Sequence, residues 1–345
     1  MDLSIFVPTK NRYYYVSKLL DYYSSINFTG ELIILDSSDE IVQKKILKEI
    51  SKKNEKIKIK YHHSIGLPCA LMKKFIKSVE TNYVLFSGDD DYFTSSGMKA
   101  CLEFLNNNLS FIGCTGKGIS VHSLISNKKI NFILNYNQAK IHDNTSIDRI
   151  ISLFKEYKVP IFSIYRTKQF EKFLDPVPSA ENFEKVCPDK AIADEFIIEG
   201  AMAAYGKIEH LNCKYLVRHI HKDRNIGNMV PDFRSDWIIS KNYTQSINYF
   251  FDEISKIISK EDNINKNFAL EVLKKNYDQY LIRELKSEKK YLIKFFLSKL
   301  LSNLKFLREI RYYFIRNFFQ KNIYQDAYND NELKLIINSI ENKYE

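Results

Sequence analysis

A chain of 345 residues with 45% hydrophobic and 14% aromatic content has ample material for one large folded domain or two smaller ones, which excludes a disordered chain. No basic and apolar leader precedes the first strand pattern at Leu3, and no window of about 18 uninterrupted apolar residues could span a bilayer, so a cytoplasmic protein is expected. Five scattered cysteines without a CxxC pair (Cys69, Cys101, Cys114, Cys187, Cys213) argue against a zinc site or a disulfide framework, and the net charge of +10 gathers near the C-terminus.

The opening segment reads as strand, turn and helix. Leu3, Ile5 and Val7 alternate up to Pro8, which cannot donate a ladder hydrogen bond, and Val16, Leu19, Leu20 and Tyr23 then recur at helical spacing. A second cycle has Leu32 to Leu35 as a strand, Asp36 at its carboxyl end and a helix beginning near Ser38 or Asp39. A third has Ile57, Ile59 and Tyr61, then a short helix with Leu71, Phe75 and Val79. Strands alternating with helices predict right-handed crossovers and a mostly parallel α/β sheet covered on both faces.

The fourth strand pattern, Tyr83 to Phe86, stops at a Ser-Gly break followed by Asp89, Asp90 and Asp91. Adjacent carboxylates repel by roughly 1 kcal/mol per pair at 4 Å in water, and about four times that near a protein surface. A cation is therefore expected among them, a hard divalent ion with oxygen ligands fitting best, with a solvated acidic turn as the alternative. Thr9 to Arg12, Asp36 to Asp39 and Asp89 to Asp91 all fall at carboxyl ends of strands, where open α/β sheets bind ligands. The chain has neither GxxxxGK[ST] nor a GxGxxG after its first strand, which argues against a P-loop nucleotidase and a dinucleotide dehydrogenase.

The segments IFVPTKNR, LIILDSSDE and YVLFSGDDDYFTSSGMKACLEFL, followed by IFSIYRTKQF, ADEFIIEGAMAAYGKI and NCKYLVRH, resemble GT-A glycosyltransferases of the family-two type, in particular a bacterial subgroup that builds surface polysaccharides. The resemblance covers about the first 225 residues. It implies a GT-A catalytic domain over residues 1–225, in which Pro8, Thr9 and Arg12 line the nucleotide pocket, Asp36 holds the base, and Asp89, Asp90 and Asp91 bind Mn or Mg and the donor diphosphate. It also implies that an acid at the start of the acceptor-side helix, Asp194 or Glu195, is the general base of an inverting transfer, with Asp194 favoured. Simple N-terminal capping is the other reading of these two acids. The sequence departs from the common DxDD form at Gly88, where that form has an acid.

Further along, Thr94 to Asn107 is signalled as a capped helix, and Phe111 to Val121 as a strand interrupted by three glycines, over which a sugar could lie. Asn131 to Ser146 is poorly patterned and expected to be a mobile insertion or acceptor loop. Asp175 to Cys187, with two prolines and Pro188 following, reads as a loop feeding the helix that starts near Asp194 and ends at Gly206. KYLVRHIHKDR ends a strand in His219 and His221, either of which is a candidate metal ligand or diphosphate donor, a surface histidine being the plain alternative.

Near Asn225 the composition changes to helical patterns rich in Asn, Lys, Tyr and Phe, so residues 226–345 are expected to form a helical C-terminal region. Within it, Lys289 to Lys321 holds nine Lys or Arg residues against one acid, Glu309, with Ile293, Leu297, Leu300, Leu304 and Leu307 near one helical face. Such a helix suits an anionic membrane surface, packing within its own domain or in a homo-oligomer being the alternative. Nucleic-acid binding is not expected, because no recognition motif accompanies the charge. Taken together, these features and the resemblance imply a metal-dependent, membrane-peripheral transferase that moves a sugar from a nucleotide-sugar donor to a glycan acceptor, lipid-linked, of the capsule or lipopolysaccharide kind. A sugar-phosphate nucleotidyltransferase and a non-catalytic scaffold are the competing classes.

Overall fold

The computed structural model describes residues 1–123, 130–221, 223, 237–301 and 321–341. Leu3–Thr9 (β1), Glu31–Asp36 (β2) and Lys58–His63 (β3) are parallel neighbours, alternating with helices Tyr13–Ser25 (α1), Glu40–Lys53 (α2) and Pro68–Phe75 (α3). Tyr83–Phe86 (β4) pairs with the other side of β1, again parallel. Leu32 to Leu35, Ile5 to Val7, Val84 and Leu85 are all inaccessible to solvent, and burial of each such side chain contributes about 1.5–3 kcal/mol.

Beyond β4 the chain adds Asp91–Phe93 (β5), helix Ser95–Asn107 (α4), the long strand Phe111–Ser123 (β6) and Phe132–Tyr136 (β7). Helix Ser146–Lys155 (α5), strand Ile164–Arg166 (β8), and helices Thr167–Leu174 (α6) and Phe183–Val186 (α7) follow. A π-helical turn over Ile192–Phe196 leads into helix Ile197–Tyr205 (α8) and strand Lys207–His221 (β9). The sheet runs β3-β2-β1-β4-β8-β6-β9-β5, with β7 paired to β6. Helix α4 is capped as expected, the Thr94 hydroxyl accepting from the Gly97 amide at 3.1 Å.

The order reverses between β1 and β4: the chain first builds β2 and β3 to one side, then returns to place β4 on the other. That reversal opens a crevice at the carboxyl ends of β1 and β4, between the Pro8–Arg12 loop and the acid triplet. The segment 131–146, expected as a loop, instead contains β7, antiparallel to β6 with Ile133 opposite Val121. Ile133 is fully buried and the Phe132 ring stacks on His122 at 4.3 Å between centroids, which holds the short strand along the edge of β6.

Helices Lys241–Asp262 (α9) and Lys266–Leu301 (α10) pack against each other, α9 on α8 and α10 on α5. Gly200 makes the α8–α9 approach possible: a Cβ there would lie 2.9 Å from the Phe250 ring and 3.1 Å from Ile254. Lys321–Asn329 (α11) and Asn331–Glu341 (α12) complete the described chain, α12 lying on α1, where the Lys18 ammonium donates to the Ile340 carbonyl at 2.5 Å. The composition change near Asn225 and residues 302–320 of the basic segment lie outside the described residues. Among the described residues, no helix is long and apolar enough to cross a membrane.

Candidate active site

The loop after β1 turns on Asn11, whose φ of 56° lies in the left-handed region that asparagine tolerates better than most residues. Its side chain and the Asp39 backbone and carboxylate exchange two hydrogen bonds of 2.9 Å, and its amide donates to the Ser38 hydroxyl at 2.7 Å. The loop is thus stapled to the end of β2, which aims Arg12 across the crevice.

Arg12 is the cation among the acids. Its Nε donates to both oxygens of Asp89, at 2.9 and 3.0 Å, and its Nη2 lies 2.5 Å from Asp90 Oδ2. The Thr9 hydroxyl donates to Asp89 Oδ2 at 2.7 Å, and the guanidinium lies 4.3 Å over the Tyr15 ring. The third acid has its own cation: Asp91 stands opposite Arg218 in the β5–β9 ladder, with Arg218 Nε 3.3 Å from Asp91 Oδ1. Arg218 is held in turn by Phe162 and Tyr136, whose ring centroids lie 4.5 and 4.9 Å from it.

Burial and the charge of Asp90 push Asp89 up to about 7, against Arg12 and Thr9. For Asp90, burial works against ionisation, but the hydrogen bond from His221 and the charge of Arg12 hold it below the usual carboxylate range. The two neighbours are therefore driven apart, as two carboxylates sharing one guanidinium must be.

His221 Nε2 lies 2.8 Å from Asp90 Oδ2, and the Asp223 amide donates to Nδ1 at 3.1 Å. An Nδ1 that accepts assigns the ring proton to Nε2, so His221 donates to Asp90 rather than offering a lone pair to a metal. His219 Nε2 lies 3.0 Å from the Ser123 hydroxyl, and burial lowers its pKa to about 3, leaving it neutral. Neither imidazole is presented as a ligand in this arrangement.

A divalent cation would find two carboxylate oxygens beside Gly88. A Cβ built there would lie 2.9 Å from Asp90 Oδ1 and 3.0 Å from Asp91 Oδ2, so the outer oxygens of the two acids converge on one point. Two hard oxygens suit Mg or Mn completed by phosphate and water. No cluster of three or more metal-ligating side chains occurs among the described residues, so a bound diphosphate would have to supply the remaining ligands.

The crevice continues into a cleft of about 190 Å³ bounded by Pro8, Arg12 and the acid triplet at one end and by Asp194 and Glu195 at the other. Val159, Ile161 and Phe162 form an apolar wall between them. Asp194, in the π-helical turn, accepts from the Cys69 amide at 2.6 Å and so closes the N-terminus of α3. Burial raises its pKa to about 6 against the Cys69 hydrogen bonds, with the charge of Glu195 adding to the rise. The Tyr157 hydroxyl lies 3.4 Å from Glu195 Oε1.

Of the residues singled out in the sequence, Pro8, Arg12, Asp89, Asp90, Asp91, Asp194 and Glu195 meet in this cleft. Thr9 stands behind Asp89. Asp36, fully buried, accepts from the Ser38 amide at 2.8 Å and from the Tyr61 hydroxyl at 2.7 Å, which braces the β2–β3 rim. Sequence reasoning passed over Arg218, Tyr157 and Glu199. For Arg218 a signal existed, a lone arginine inside the strand pattern YLVRHI; for Tyr157 and Glu199 only the fold brings the partners together.

Residues 4–174 match the model of glycosyl transferase family 2. The chain carries a glycosyltransferase family 2 domain. Its sheet is the GT-A, Rossmann-like arrangement followed by a helical C-terminal region. Among solved structures, residues 1–349 of S. aureus TarS in complex with UDP-GlcNAc are similar at 17% identity and a TM-score of 0.48, covering 79% of this chain and 70% of that one. S. aureus TarS in a longer form is similar at 16% identity and a TM-score of 0.46, covering 81% and 55%. No curated protein matches the chain. The glycosyltransferase thus has its acid triplet at the sheet's reversal point, with a second acidic pair across the cleft.

Proposed function

We propose that this glycosyltransferase takes its sugar from a nucleotide-sugar donor and transfers it with inversion to a hydroxyl of a glycan. The observation that carries this reading is the cleft itself: an acid triplet with two arginines at one end and a carboxylate pair at the other, with a ligand-sized gap between them. Pro8, Thr9 and Arg12 would shape the diphosphate end, and Asp36 the rim nearest the base. A divalent ion held by Asp90 and Asp91 would stabilise the leaving diphosphate as a Lewis acid.

At the other end a carboxylate takes the proton of the acceptor hydroxyl as its oxygen bonds to the anomeric carbon and the bond to the diphosphate breaks. The Cys69 amide commits one oxygen of Asp194 to the start of α3, which favours Glu195 as that base and Asp194 as the group that fixes the turn carrying it. The test is purified full-length protein with Mn or Mg and a panel of UDP-, GDP- and CDP-sugars, read by nucleoside diphosphate release with and without glycan acceptors. Failure to release nucleoside diphosphate from every donor would overturn the reading.

The basic segment Lys289 to Lys321 supports a place for this reaction at an anionic membrane with a lipid-linked acceptor, each Lys or Arg near such a surface contributing about 1 kcal/mol. Flotation of the full chain with anionic and neutral vesicles at low and high salt tests it. Equal indifference to both vesicle types rules the membrane reading out.

A further inference from the structure

Glu199 is a buried carboxyl that neither the acid triplet nor the proposed base accounts for. It lies on α8 one turn beyond Glu195, is fully buried and borders the cleft. Its Oε2 accepts a short hydrogen bond from the Tyr157 hydroxyl, while its Oε1 has no hydrogen-bond partner among the described residues. An unsatisfied buried oxygen costs about 1–3 kcal/mol, and a methionine would fill the same space without that cost. A polar atom kept under these conditions points to a partner that arrives with the substrate.

The surroundings restrict what that partner is. Facing Glu199 are Tyr157, Glu195 from the preceding turn, Arg218 from β9 and Tyr136 from β7. Burial and the charge of Glu195 push the carboxyl well above its usual range, against the Tyr157 hydrogen bond and Arg218, which favours its protonated form. Because Oε2 accepts from Tyr157, Oε1 is the oxygen left to meet a substrate group, and it is the atom that carries the proton when the carboxyl is protonated. The neighbouring wall of Val159, Ile161 and Phe162 is apolar, and the adjacent Glu195 disfavours an anion, so an uncharged oxygen fits and a phosphate does not.

We propose that Glu199, fixed by Tyr157, contacts a hydroxyl or amide carbonyl oxygen of the transferred sugar through Oε1, and so selects for sugars that carry an oxygen at that position. The assignment rests on the reading of the cleft as a nucleotide-sugar site. It makes Glu199 a specificity residue, since a site built to hydrogen-bond a substrate group discriminates against analogues lacking it far more strongly than an apolar wall can.

The test titrates full-length wild type, Glu199→Met and Glu199→Gln with UDP and GDP and with their hexose and N-acetylhexosamine conjugates. Glu199→Met is expected to bind the bare nucleotide within about twofold of wild type but to lose about 10- to 100-fold in affinity for the preferred sugar conjugate. Glu199→Gln, whose amide still donates, is expected to stay within about fivefold. In infrared difference spectra, a protonated-carboxyl band absent from both variants should shift when the sugar conjugate binds and stay put with the bare nucleotide. Wild-type conjugate binding with Glu199→Met unaffected, or a carboxyl band that ignores the sugar, overturns the Glu199 assignment alone. A wild type that binds no conjugate overturns the donor reading and this assignment with it. Should Glu199→Met fail to fold, the infrared comparison of wild type with Glu199→Gln decides by itself.

Discussion

Arg12 Nε lies 2.9 and 3.0 Å from the two carboxylate oxygens of Asp89, a residue 77 positions away, and the same guanidinium reaches Asp90. This pairing, with that of Arg218 and Asp91, lets three consecutive acids sit buried or nearly so at the end of a core strand. Removing one partner of such a pair leaves uncompensated charge, at a cost of about 3–5 kcal/mol. Arg12→Ala is therefore expected to lower unfolding stability by about that amount in urea titrations. Arg12→Lys should recover only part of it, because an ammonium cannot fork between Asp89 and Asp90. A midpoint for Arg12→Ala equal to wild type would show that the acids are compensated elsewhere.

Gly88 offers a separate handle on the metal. No described glycine has a positive φ, so alanine at position 88 meets no backbone penalty, yet its Cβ would press on Asp90 Oδ1 and Asp91 Oδ2 at 2.9 and 3.0 Å. Gly88→Ala is expected to fold normally and to weaken Mn binding in the presence of UDP by about tenfold or more, the equivalent of about 1.4 kcal/mol. Electron paramagnetic resonance of bound Mn checks it. Unchanged Mn affinity would move the cation away from this pair of oxygens.

The acid triplet was legible because it follows a strand-length apolar run, and the first four strands because their residues keep a two- or one-faced apolar pattern. What could not be read was long-range register. Asp91 meets Arg218 only because β5 runs antiparallel to β9, and β5 and β8 are three residues each, too short to leave a periodic trace. The repulsion argument asked for a cation among the acids. The fold supplies two arginines there, from a loop and a strand that nothing local links to the triplet. β7 was missed because its apolar run, Phe132 to Leu134, is only three residues long and is flanked by the polar segments on either side.

Asp194 makes stability depend on pH in a definite direction. Its pKa in the folded protein, about 6, lies above the unfolded value near 3.9, so the folded state holds the proton more tightly. The resulting stabilisation is complete below about pH 3.9 and is lost as the pH rises through 6. Asp194→Asn keeps an oxygen for the Cys69 amide and has no proton to lose. Between pH 4 and 7 the melting temperature of wild type should therefore fall relative to this variant, by the equivalent of about 1–3 kcal/mol. Parallel curves for the two proteins over that range would show that Asp194 titrates as it does when unfolded.

The two acids of the π-helical turn are separable by kinetics, since they differ in what holds them. Asp194 spends an oxygen on the first turn of α3, and its loss loosens a helix terminus that borders the cleft, whereas Glu195 reaches into the cleft beside Tyr157. If Glu195 takes the acceptor proton, Glu195→Gln should lower kcat by about 10²-fold or more with the donor KM nearly unchanged, the usual contribution of a positioned base. Asp194→Asn should cost less than about tenfold in kcat, because the amide oxygen still accepts from Cys69 and the turn keeps its place. The larger effect on Asp194→Asn, with Glu195→Gln close to wild type, would exchange the two roles. Pre-steady-state release of nucleoside diphosphate separates this chemical step from product release, so that a slowed cleft opening is not mistaken for a lost base.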